Sequence, residues 1–107
     1  LIHVAIDFSD IDIVLVSPTP ESLLEDRNWL NSLGDPAVVG DEDWELVQSI
    51  LIFFRMLEVE FGIAGLDWVR PPIDSGTAAV MRQPMRLLYD PESLIAIAIA
   101  NVRLKNR

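Results

Sequence analysis

Residues 43–61, DWELVQSILIFFRMLEVEF, decide the fold, because the element read from them sets what the rest of the chain packs against. Leu46, Ile50, Phe53 and Leu57 recur at the spacing of one helical face, flanked by Val47, Leu51, Phe54 and Phe61. Just upstream, Asp41, Glu42 and Asp43 are acids of the kind that favour a helix N-terminus. The pattern predicts a helix from residue 41 to about Phe61, stopped by Gly62. Ile52, Met56 and Val59 make a second apolar stripe at i, i+4 and i+7 on about the opposite side. A helix apolar nearly all round is buried on both sides. Either the preceding helix or another chain covers the second side.

That preceding helix is read from Thr19 as N-cap, Pro20 at the first helical position and Glu21 complementing the dipole. Leu23, Leu24, Leu30 and Leu33 supply its stripe, and Gly34 its stop. Upstream, Ile2, Val4, Ile6 and Phe8 alternate with less apolar residues, and Ile11, Ile13 and Leu15 continue with the phase shifted by one. Period 2 marks half-buried strands, and the phase switch across Ser9-Asp10 favours a hairpin over one long bulged strand. Pro18 ends this segment.

Downstream, 78–82 and 85–89 read as short strands interrupted at Gln83-Pro84. Asp90-Pro91-Glu92-Ser93 reads two ways: as a turn, or as a helix start resembling Thr19-Pro20-Glu21-Ser22. Ile95, Ile97 and Ile99 alternate with Ala96, Ala98 and Ala100, and this β-branched alternation favours a strand over 94–105. The basic tail Arg103, Lys105 and Arg107 would equally suit a helix C-terminus. The resulting expectation is one α+β domain over residues 1–107. It has an N-terminal hairpin, two helices and C-terminal antiparallel strands. Together they make a sheet of three to five strands with the helices on one face. A chain opening on Leu1 rather than Met also fits a piece of a longer protein.

The 107 residues carry 17 acids against 8 Lys and Arg, a formal charge of -9, while half the residues are apolar. The charge is uneven: residues 1–45 hold 11 of the acids and a single base, Arg27. Such a balance argues against nucleic acid as a partner, less so for the basic residues near the C-terminus, since phosphate binding rests on clustered Lys and Arg. Zero cysteines exclude disulfides and thiolate metal sites. No apolar run approaches the roughly 18 residues that span a bilayer. The default expectation is a soluble intracellular protein.

Candidate chemistry is sparse. Asp7, Asp10 and Asp12 have oxygen ligands at a spacing that could hold Mg²⁺ or Ca²⁺, but a solvated strand face accounts for them, so no metal site and no cofactor are expected. Ile73-Asp74-Ser75-Gly76-Thr77 resembles the active-site loop of aspartic proteases. Pro71-Pro72 replaces the leading strand of that family, and its later apolar-apolar-Gly is missing, so the string is read as a turn closed by Ser75-Gly76. His3, the single histidine, stands near a strand end with no cysteine to serve, and no catalytic residue is assigned.

The expected function is therefore non-enzymatic: a protein–protein interaction or assembly subunit, self-associating or bound to a partner. Its surface would comprise Ile52, Met56 and Val59 of the outer stripe, Trp44 and Trp68 as aromatic anchors, and Asp41, Glu42 and Asp43. The alternative is an acidic inhibitor or immunity-type protein that masks a basic site on an enzyme.

Overall fold

The computed structural model describes residues 2–7, 11–34, 37–44, 46–54 and 57–104. Strands β1 (His3–Asp7) and β2 (Asp12–Val16) are followed by helix α1 (Pro20–Glu25) and a 3-10 segment, Asn28–Leu33. Then come strands β3 (Ala37–Asp43), β4 (Val47–Phe54) and β5 (Leu57–Ala64). Helix α2 (Ser75–Met81), strand β6 (Met85–Tyr89) and helix α3 (Leu94–Leu104) complete the order. The described strands form one six-stranded sheet in the order β3-β4-β5-β2-β1-β6, larger than expected. The pair β2–β5 at its centre is parallel, and every other pair is antiparallel.

The region read as a long helix is thus the end of β3 followed by the β4–β5 hairpin. The physical reason lies in how β4 is buried. Ile50 and Ile52 point into one core, while Val47 packs into the other, so both faces of the strand are apolar and period 2 is erased. A strand buried on two faces reads as a continuous apolar run, and such a run mimics a helix apolar all round.

Residues 94–104 are also corrected, from strand to helix α3. The Asp90 carboxylate accepts from the backbone N–H of Ile95 (3.2 Å) and Ala96 (2.9 Å), filling two donors that a helix start leaves open. That cap, together with Pro91 and Glu92, outweighs the β-branched alternation. Segment 78–82 falls in α2 and the turn after it, not in a strand, whereas 85–89 is β6. The first helix breaks after Glu25. There Asn28 N–H donates to the Asp26 carboxylate (3.0 Å) and Arg27 Nε to the Leu24 carbonyl (2.9 Å), local bonds that compete with helix propagation.

Helices lie on both faces of the sheet rather than one. On the first face α2 and α3 contribute Ala78, Met81, Ile95, Ala98 and Val102 to a core with Ala5, Val16, Ala64 and Trp68. On the second, Leu23 and Leu24 of α1 and Leu30 cover Leu15, Ile50, Ile52, Phe61 and Ile63. Trp29 packs edge-on against Phe61 at 5.3 Å and 87°, and its indole N–H donates to the Leu23 carbonyl at 2.9 Å. Among the described residues no helix is long and apolar enough to cross a membrane.

Candidate functional site

The face carrying α2 and α3 is not fully roofed. Where α2 ends its cover over β2, β5 and β4, a cavity of about 510 Å³ remains, within the range of small-molecule sites. Its floor follows directly from strand alternation. Asp12 and Val14 of β2, Glu60 and Gly62 of β5, and Val47 and Ser49 of β4 all line it. Thr77 and Val80 of α2 and the buried Trp68 form the wall, and Trp44 and Leu46 stand at the β3–β4 turn.

At one end Asp12 and Glu60 are register partners on parallel strands. Neighbouring strands lie about 4.8 Å apart, so the two carboxylates start from adjacent backbone positions on one face. The register is locked at both ends, because Glu60 N–H donates to the Ile11 carbonyl (3.1 Å) and Ser17 N–H to the Ala64 carbonyl (2.9 Å). A slip of one residue would turn Glu60 to the opposite, α1 side. Asp12 is therefore half-buried at a cavity wall, not part of a solvated strand face. Asp74 also lines the cavity, but its carboxylate caps α2, accepting from Thr77 N–H at 3.2 Å. This corrects the turn read at 73–77: Ser75 and Gly76 open a helix.

Among the described residues no three His, Cys, Asp or Glu side chains gather where one ion could sit. A magnesium ion commonly needs less, taking one or two carboxylates and completing its shell with water and substrate phosphates. Among the described residues no Lys, Arg or His lines the cavity.

The residues read as a partner surface are dispersed. Ile52 and Val59 are buried under α1 and the 3-10 segment, so they offer no outer stripe. Met56 lies outside the described residues, as does Asp10; the side chains of His3 and Asp7 are likewise outside them. Trp68 is buried, and Trp44 is exposed at the cavity mouth. Asp41 is held by both terminal guanidinium nitrogens of Arg27 (3.0 and 3.1 Å), and Glu42 and Asp43 are exposed on β3. Glu60 and Ser49 escaped the sequence reading. The alternation Leu57-Glu58-Val59-Glu60-Phe61 is the signal that points to Glu60.

Comparison with protein-family models, with curated proteins and with solved structures found no match.

Proposed function

We propose that this domain binds a divalent cation through Asp12 and Glu60 and, with it, a phosphorylated small molecule lying in the cavity. The observation that carries the reading is the in-register carboxylate pair at one end of an otherwise largely apolar cavity. Both donors are hard carboxylate oxygens, which suit Mg²⁺ or Mn²⁺. A cation held there would clamp phosphate oxygens and polarise them, the arrangement on which phosphoryl transfer depends. Titration calorimetry with MnCl₂, alone and with ATP present, tests it: Asp12→Asn and Glu60→Gln should each abolish cation binding. A wild type that binds no cation under either condition sinks the reading.

A second reading keeps the interaction role and moves its surface. Among the described strands β6 is an edge of the sheet; Leu87, Leu88 and Tyr89 are exposed on it, and no proline or acid interrupts it. Native edges are usually blunted, so this one is suited to accept a strand from a protein partner. Light scattering of wild type and Leu88→Lys separates the two: loss of association without loss of cation binding favours the edge.

A further inference from the structure

The cavity has a second end and a middle, and each presents a feature that the carboxylate pair leaves unexplained. Ser49 is 3% exposed and lines the floor, yet among the described residues its hydroxyl has no hydrogen-bond partner. A buried polar side chain without a partner is uncommon and calls for a ligand or water to satisfy it. Trp44, at the β3–β4 turn closed by its own N–H to the Val47 carbonyl (2.8 Å), is 59% exposed where it lines the cavity. The register sets these features in order. Glu60 pairs with Asp12, Gly62 with Ser49, and Ala64 with Val47 next to the turn. Four residues of strand separate the first from the last, about 13 Å. Between them Gly62 keeps the floor low, since a Cβ there would stand 3.0 Å from Val47 Cγ1 and 3.8 Å from Val14 Cγ2.

We infer that the ligand is elongated and three-part, an extension that rests on the cation reading above. Its phosphate end meets the cation at Asp12 and Glu60, a hydrogen-bonding group in its middle engages the Ser49 hydroxyl, and a flat ring lies on Trp44. The chemical class is an aromatic phosphate ester with a polar spacer. Trp44 and Ser49 are specificity-determining residues: they select the ring and the spacer and leave the cation site unaltered.

Two probes share the metal-bound phosphate chain and differ in the rest: the Mn²⁺ complexes of ATP and of inorganic tripolyphosphate. Wild type should bind the ATP complex about tenfold more tightly than the tripolyphosphate complex, the scale of one aromatic contact and one hydrogen bond. Trp44→Ala should remove most of that advantage, Trp44→Phe should restore it, and Ser49→Ala should lower it several-fold. None of the three should change tripolyphosphate binding. Trp44 is an exposed turn residue, and circular dichroism of its variants checks that the fold is intact. Equal wild-type affinity for the two complexes, or a Trp44→Ala protein that still prefers ATP, overturns the inference and leaves the cation site standing. Failure of the wild type to bind Mn²⁺ with either probe overturns both.

Discussion

Asp12 and Glu60 face the same cavity from adjacent parallel strands, held in register by the Glu60 N–H to Ile11 carbonyl bond of 3.1 Å. Carboxylates on adjacent strands repel each other, and the cation reading gives that a measurable consequence. In the absence of metal, Glu60→Gln should leave the domain as stable as wild type or more stable, by up to about 1 kcal/mol, because a like-charge cross-strand pair is relieved. Urea denaturation in EDTA checks the sign. A loss of stability would mean that Glu60 serves the fold and not a cation.

Strand β4 makes opposite predictions for neighbouring residues. Ile52 is 1% exposed and Phe53 46%, so truncating the smaller side chain should cost far more than truncating the larger. Ile52→Ala should destabilise by about 2–5 kcal/mol, the range for a buried large aliphatic, and Phe53→Ala by less than about 1 kcal/mol. Comparable losses at the two positions would contradict the alternation of the strand.

These residues also show what could be read from the sequence and why the rest could not. Val4 and Ile6 of the first alternation lie in β1, Ile13 and Leu15 of the second lie in β2, the two strands pair antiparallel, and 85–89 is β6. A fold that mixes helices with a sheet was therefore legible. The β4–β5 hairpin was not, because Ile50 and Ile52 serve one core while Val47 serves the other, and a run apolar on every side carries no period. With the hairpin taken for a helix, Glu60 had no strand to pair with and the cavity had no floor. At 94–104 the Ile-Ala alternation fits a strand and a helix alike, and the deciding bonds come from Asp90, several residues before the segment begins.

Helix α3 therefore depends on Asp90. Asp90→Ala removes the acceptor of two backbone N–H groups and should destabilise the domain by about 1–2 kcal/mol, as loss of an N-cap does. Amide hydrogen exchange should rise first at Ile95 and Ala96. Unchanged protection there would show that the cap is dispensable.

Gly62 offers a way to raise the cavity floor without replacing a polar side chain. A methyl at Gly62 would meet Val47 Cγ1 at 3.0 Å and Val14 Cγ2 at 3.8 Å. Gly62→Ala should change stability by less than about 1 kcal/mol, since relief of unfolded-chain entropy offsets the tight contact. The ATP complex of Mn²⁺ should bind more weakly to this variant, while Mn²⁺ alone binds as before. A ligand affinity equal to wild type would place the ligand elsewhere.

The most direct measurement of the central claim is where the metal goes. Adding sub-stoichiometric Mn²⁺ to isotope-labelled protein broadens the NMR signals of nuclei near the ion. Broadening is predicted to centre on Asp12, Glu60 and their neighbours Ile13 and Phe61, and to vanish in Glu60→Gln. Broadening centred instead on the exposed acids Glu42 and Asp43 of β3, or none at all, would contradict the account.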